Sequence, residues 1–273
     1  ELDKYPDDWV YWQDLDAEGK LVSYCKPTKA GSFAKILTGC SDIRIYMSAY
    51  PGSRKSFCDG LGLSESEVAW ISLGSPFHVE NRPIYNYGNK IGSLGRRSVD
   101  ESFPALARYI NTLLDHHSDT KGLIHCASYA FGKRIVEAIS KKHASRIIFP
   151  ESSDQRQQAF EQHCASDQPT VIITPSMTEG FDFKGDFARW QIIAKVPYPS
   201  LGDKQVVAKK DNDPDWYTME TVKTVVQAAG RIVRSEDDYG ITYILDGDFD
   251  SLLSRGKDMF PRWFTSAIMN SSS

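Results

Sequence analysis

Gly122-Leu123-Ile124-His125-Cys126 is a short, mostly apolar run, and four more like it follow at residues 146–149, 171–174, 191–196 and 241–245. Between these runs lie segments whose apolar residues recur three and four apart, at 131–142, 155–164 and 214–233. Strands too apolar to have a wet face, alternating with amphipathic helices, predict an α/β fold in which helices cover both faces of a parallel sheet. Ligands of such sheets collect beyond the carboxyl ends of the strands, which makes the residues following each run candidates for function. Just upstream, Phe103, Leu106, Tyr109, Ile110 and Leu113 hold helical spacing, with Ser102 placed as N-cap and Pro104 in the first turn.

Nearer the amino terminus the texture changes to short strands and turns. Residues 9–12, 21–24 and 43–47 read as strands, 32–37 and 54–61 as short helices, and 88–97 as an exposed, Gly-rich basic loop. Residues 198–213 are polar, with Pro, Gly and Lys, and read as a loop over one edge. The expected division is a connecting region over 1–100 and one α/β domain over 101–273.

The 273 residues are 41% hydrophobic and 12% aromatic, enough for a sizeable core, which excludes a disordered protein. A net charge of −4 makes no demand for nucleic acid, although a groove lined by a few cations can still bind it. Cys25, Cys40, Cys58, Cys126 and Cys164 are odd in number, widely spaced and without a C-x-x-C pair. They argue against a disulfide framework and against a zinc site, and read as reduced, mostly core thiols. The start, Glu1-Leu2-Asp3-Lys4-Tyr5-Pro6-Asp7-Asp8, is acidic, and no apolar run approaches spanning length. The expectation is an intracellular chain with neither signal peptide nor anchor and no membrane partner.

Three stretches carry chemistry. Gln227-Ala228-Ala229-Gly230-Arg231-Ile232-Val233-Arg234 closes the pattern at 214–233. On one continuous helix 227, 231 and 234 fall at i, i+4 and i+7, a polar stripe opposite Val222, Val225, Val226, Ala229, Ile232 and Val233. Gly230 permits close backbone approach. Two planar cations one turn apart suit a polyphosphate; the structural alternative is a basic helix end pairing with Glu236, Asp237 and Asp238. The run at 171–174 leads into Pro175-Ser176-Met177-Thr178-Glu179-Gly180-Phe181-Asp182-Phe183, where two carboxylates flank a glycine. They suit ribose, water or the arginines, or else cap the loop's own amides. The run at 122–126 ends in Ala127-Ser128-Tyr129. A nucleic-acid strand can use that hydroxyl and ring through a phosphate and a base; alternatively Ser128 caps the next helix and Tyr129 packs.

Other strings are decoys. Pro51-Gly52-Ser53-Arg54-Lys55-Ser56 is not G-x-x-x-x-G-K-S/T, and that phosphate loop occurs nowhere in the sequence. Asp100-Glu101-Ser102-Phe103 follows Arg96-Arg97-Ser98-Val99 rather than an apolar strand, and reads as a helix start. Gly60-Leu61-Gly62-Leu63 lacks the third glycine of a dinucleotide site, and His116-His117 reads as a solvated or dipole-complementing pair at a helix end. No metal site is expected.

In chain order, Ser128-Tyr129, Glu179-Gly180-x-Asp182 and Gln227-x-x-Gly230-Arg231-x-x-Arg234 are far more specific together than apart. Residues 43–264 resemble the C-terminal motor region of superfamily 2 helicases of the XPD/DinG type. Met47-Ser48-Ala49-Tyr50 resembles the S-A-T element called motif III, and Leu61-Gly62-Leu63 with Ser75-Pro76-Phe77 is similar to the family's L-G-L and S-P-F signature. Ser128-Tyr129 falls at motif IV, residues 178–183 at motif V and 227–234 at motif VI, and Pro197-Tyr198-Pro199 fits the P-F/Y-P after the next strand.

The resemblance implies a RecA-like fold and an ATP-driven motor moving 5′ to 3′ on single-stranded DNA, in the cytoplasm or on the nucleoid if bacterial or phage. It implies Arg231 and Arg234 as arginine fingers on the γ-phosphate, with Gln227 positioning the nucleotide or the attacking water. Glu179, Gly180, Asp182 and Gly230 would bind ATP and couple it to strand movement, and Ser128, Tyr129 and Thr174 would touch DNA. The Walker A lysine, the Mg2+ carboxylates and the four cysteines of the family's iron–sulfur cluster belong to a first motor domain and do not occur here. ATP and Mg2+ would therefore be held mainly by that domain, in the same full-length chain or a partner subunit, and this chain alone would be inactive. Tyr50 stands where motif III usually has Thr, which displaces the hydroxyl of that element. Two other readings remain open: a catalytically silent RecA-like module that binds nucleic acid or protein, and a nucleotide-sugar or phosphate-transferring enzyme on a similar fold.

Overall fold

The computed structural model describes residues 8–16, 18–29, 36, 39, 41–175 and 180–269. In chain order the strands and longer helices are β1 (Trp9–Leu15), β2 (Leu21–Pro27), α1 (Arg54–Leu61), β3 (Ile84–Asn86), α2 (Val99–His116), β4 (Gly122–His125), α3 (Tyr129–Ala138), β5 (Ile147–Ile148), α4 (Arg156–Ala165), β6 (Val171–Thr174), β7 (Trp190–Ile193), α5 (Lys204–Asn212), α6 (Pro214–Ala229), β8 (Ile241–Ile244), α7 (Asp248–Arg255) and β9 (Ile268–Met269). They fall into two compact units, residues 1–72 with 198–223 and residues 73–197 with 224–273.

The larger unit is built on a seven-stranded sheet in the order β5-β6-β4-β7-β8-β3-β9, every neighbouring pair parallel. The α/β architecture expected from the alternation is therefore the one found. Because successive side chains point to opposite faces, Ile124, Trp190 and Ile192 pack with Leu106 and Ile110 of α2 and Phe131 and Ile135 of α3. Leu123 and Ile172 meet Ala159 of α4, with Phe183, Ala188, Ile232 and Val233, on the other face. A Cβ on Gly122 would stand 2.2 Å from the Trp190 indole, so only glycine fits the first position of β4.

The amino-terminal rim is closed by polar groups. Arg146 donates to four backbone carbonyls, those of Leu114 at 3.0 Å, His117 at 2.7 Å, Thr120 at 3.1 Å and Pro169 at 2.7 Å. His117, expected at a solvated helix end, is instead buried, its ring stacked 4.9 Å from Trp190 with Nε2 2.9 Å from the Tyr243 hydroxyl.

Other boundaries also move. Helix α2 starts one turn early, at Val99, with Asp100 and Glu101 in its first turn complementing the dipole, so Ser102 and Pro104 lie inside it. The stretch 88–97 holds a one-turn helix, Gly88–Ile91, and buries Ile91 and Leu94, because the Asp246 carboxylate after β8 accepts the Leu94 amide at 3.0 Å. The expected loop at 198–213 contains α5, capped by Asp203, whose side chain accepts from the Gln205 amide at 2.8 Å.

In the smaller unit β1 and β2 form an antiparallel hairpin with Trp12 stacked on Tyr24 at 4.9 Å, and Gln205 of α5 donates to the Pro27 carbonyl at 2.7 Å. The phosphate-loop decoy is a helix start: the Ser53 side chain caps α1 by accepting the Ser56 amide at 3.1 Å. Residues 43–47, expected as a strand, pair with nothing in either sheet, and Ile43, Ile45 and Met47 are 84%, 83% and 91% exposed. Alternation gives them the composition of a strand, but no described neighbour supplies the ladder. Tyr50 is buried with its hydroxyl 3.8 Å from the Met219 sulfur, and burial pushes that phenol up to about 12. Most of the expected 32–37 helix lies outside the described residues.

Candidate functional site

Helix α6 ends at Ala229, so Arg231 and Arg234 sit in the turn beyond it rather than on its stripe. Gly230 is a poor helix former, and the chain bends there to drive Ile232 and Val233 into the sheet face beside Phe183. A Cβ at Gly230 would meet the Val226 carbonyl at 3.5 Å, an ordinary contact, so no close approach within the chain requires this glycine. Gln227 lies half-buried on the last turn.

Both guanidinium groups nevertheless face the segment expected to face them. Arg231 Nη1 donates to the Phe181 carbonyl at 3.2 Å, and Arg234 Nε lies 3.2 Å from Asp182 Oδ1. The Arg234 and Asp182 side chains are 37% and 59% exposed. A pair this wet contributes at most about 1 kcal/mol, so it yields to a stronger anion. Gly180 has φ 81, the left-handed region, and lies exposed with open space around it. Glu179 falls outside the described residues.

The turn is held by Asp238, a residue the sequence placed only in an acidic cluster. Its buried carboxylate accepts the Arg234 amide at 3.1 Å, the Gly185 amide at 3.2 Å and Arg189 Nη1 at 2.7 Å. Asp238 therefore pins the backbone of the arginine turn to the segment carrying Asp182, instead of neutralising an arginine of that turn. Removing one partner of a buried charge pair costs about 3 to 5 kcal/mol. Asp238→Ala is expected to lose stability on that scale in urea unfolding; a change below about 1 kcal/mol would contradict this role.

The backbone at Arg234 lies beside the start of β7, since the Asp238 that holds its amide also binds Arg189, which immediately precedes that strand. Ser128, Tyr129 and Thr174 follow or close β4 and β6 at their carboxyl ends. Ser128 is exposed and caps α3, its hydroxyl oxygen accepting the Phe131 amide at 3.2 Å, which leaves its proton to donate. Ala127 before it has φ 62, which turns the chain sharply out of β4. The half-buried Tyr129 has a buried hydroxyl without a hydrogen-bond partner among the described residues. Thr174 is fully buried, so its side chain is not open to the surface in this structure.

A polar chain inside the sheet escaped the sequence reading. Gln191 of β7 donates through Nε2 to the Ala229 carbonyl at 3.2 Å and to Thr242 Oγ1 of β8 at 2.9 Å, and its Oε1 lies 3.2 Å from His125 Nε2 of β4. Burial holds the His125 imidazole down to about 4, with the nearby Arg231 charge adding in the same direction. The available signal was a polar residue in each of three runs that read as buried strands, His125, Gln191 and Thr242.

Residues 110–267 match the family described as Helicase C-terminal domain. The chain is 26% identical over 207 residues to the ATP-dependent DNA helicase DinG of Photobacterium profundum, covering 70% of this chain and 29% of that protein. It is 26% identical over 264 residues to the 3′-5′ exonuclease DinG of Bacillus subtilis, covering 88% and 28%. A solved structure titled as an XPD helicase superposes with TM-score 0.65 at 17% identity, over 94% of this chain and 47% of that one. The chain thus spans under a third of the length of these two curated relatives. Among the described residues no helix is long and apolar enough to cross a membrane.

Proposed function

The chain belongs to the Helicase C-terminal domain family, and on that premise we propose that it is the second motor half of an ATP-dependent DNA helicase moving 5′ to 3′ on single-stranded DNA. The observation that carries this reading is the turn of Arg231 and Arg234, whose two guanidinium groups converge on residues 181 and 182 through a carbonyl and an exposed carboxylate. The wet pair of Arg234 with Asp182 is weak enough to exchange for phosphate oxygens, to which planar guanidinium donors such as those of Arg231 and Arg234 are matched. ATP supplies the phosphoryl group when bound, and Arg231 and Arg234 stabilise charge developing on it while Gln227 orients the nucleotide or water. Among the described residues no group of three His, Cys, Asp or Glu side chains is placed to hold a metal ion. Ser128 and Tyr129 take the DNA backbone and a base at the other site, and Glu179, Gly180, Asp182 and Gly230 couple the two.

The Walker A loop and Mg2+ carboxylates stand on a first motor domain, in the same full-length protein or a partner. The bare apolar side chains at 43, 45 and 47 support such a neighbour, since exposed alternating apolar residues mark surfaces made to be covered. The full-length protein is expected to hydrolyse ATP at least about tenfold faster with single-stranded DNA, and to unwind a duplex from a 5′ overhang. Unwinding from a 3′ overhang alone would refute the direction, and absence of stimulation would favour the silent RecA-like module.

A further inference from the structure

We infer that Gln191 is a positioning residue for the arginine turn, fixing where Arg231 sits by holding the last carbonyl of α6 to the middle of the sheet; this rests on the motor reading above. The carboxamide has two hydrogens, and both are committed, one to the Ala229 carbonyl and one to Thr242 Oγ1. Its oxygen can then only accept, which makes His125 the donor through Nε2 and fixes both the amide orientation and the imidazole tautomer. His125 Nδ1 is left as a buried acceptor without a hydrogen-bond partner among the described residues.

The consequence concerns a helix end. The final carbonyls of a helix have no partner within it and normally turn to water or a capping group. Here the cap for Ala229 comes from a side chain rooted in β7, flanked by β4 and β8 in the sheet order. Arg231 lies two residues beyond that carbonyl. Its amide bonds to the Ala228 carbonyl at 3.1 Å, so the turn that aims the guanidinium closes on the peptide next to the anchored one. Asp238 fixes the far end of the same turn at Arg234, and Gln191 fixes the near end. His125 connects the anchor to the strand that leads into Ser128, so the arginine turn and the DNA-facing turn share one buried chain of polar groups.

The test uses the full-length protein as wild type, Gln191→Met, Gln191→Glu and Thr242→Val. Displacing a reacting group by about 1 Å is enough to lower turnover by about a hundredfold. Gln191→Met keeps the volume and loses the anchor; its kcat for DNA-stimulated ATP hydrolysis should fall about tenfold to a hundredfold, with KM for ATP and Kd for single-stranded DNA within about threefold. Thr242→Val leaves the bond to Ala229 and should keep kcat within about threefold of wild type. Gln191→Glu covers the case in which the methionine variant does not fold. Protonated, it can still donate to Ala229; ionised, it offers that carbonyl only another acceptor. The titratable group facing it is His125 from β4, on which the Arg231 charge acts in turn, and its kcat relative to wild type should drop as pH rises from 6 to 8.5.

The role is overturned if folded Gln191→Met keeps kcat within threefold, if Thr242→Val costs as much as Gln191→Met, or if the Gln191→Glu ratio is flat with pH. A wild type without DNA-stimulated hydrolysis would sink the motor reading and this role with it. A stimulated wild type beside an unaffected Gln191→Met would remove this role alone.

Discussion

Arg231→Ala in the full-length protein is expected to lower DNA-stimulated ATP hydrolysis by about 10³- to 10⁵-fold, the equivalent of roughly 4 to 7 kcal/mol of transition-state stabilisation. In the resting structure the guanidinium donates to the Phe181 carbonyl at 3.2 Å, which aims it at the segment carrying Asp182. Charge that appears on the transferred phosphoryl oxygens only during reaction then finds a preorganised donor, so the loss should fall on kcat rather than on ATP affinity. Arg231→Lys should recover little, because an ammonium does not reproduce a planar fork. A variant that binds ATP weakly but turns over at the wild-type rate would show that Arg231 serves ground-state binding instead. Arg234 begins from an ion pair with Asp182 and must leave it to act, so Arg234→Ala should cost less than Arg231→Ala.

The second large effect is on stability below neutral pH. His117, His125 and His163 are all buried, and burial holds each imidazole down to about 4. Among the described residues no carboxylate is hydrogen-bonded to these rings: His117 meets Tyr243 and Trp190, His125 meets Gln191, and His163 bonds to Thr170 Oγ1 at 2.8 Å and the Phe187 carbonyl. Unfolding frees the rings to titrate near their ordinary value of about 6.5, so between about 6.5 and 4 the unfolded chain binds more protons than the folded one. Stability is fully present above that window and is lost as pH falls through it, by about 1.4 kcal/mol per pH unit for each ring that stays neutral. Asp246, whose carboxyl burial pushes up, works in the opposite sense. Urea midpoints should therefore hold steady from pH 8 to 7 and drop steeply from pH 6 to 4.5. A flat profile across that range would mean that these rings are already protonated in the fold.

The five apolar runs revealed the centre of the sheet because a strand buried on both faces has no choice of composition; β4, β6 and β8 lie within them, and β7 overlaps one but starts a residue earlier, at Trp190. Strands β3 and β9, three and two residues long, are too short to carry a period. Helix α5 was hidden between a Pro/Gly-rich approach and an acidic exit, and only the cap from Asp203 marks its start. The motif residues were legible as a set, whereas the break at Gly230 was not, because helical spacing continues through Ile232 and Val233 after the helix has stopped. Gln191, His125 and Asp238 were passed over for one reason: a polar side chain reveals its importance through its partners, and these lie 38 to 66 residues away for Gln191 and 49 to 53 for Arg189 and Gly185 against Asp238.

Arg146 collects carbonyls from the end of α2, from the residues leading into β4 and from those leading into β6. Fraying at any one of these places strips a guanidinium that the others still need, so the rim has no independent first step of opening. Slow amide exchange there should proceed as a single cooperative unit, so a lobe that moves as a rigid lever would draw much of its stiffness from this one side chain.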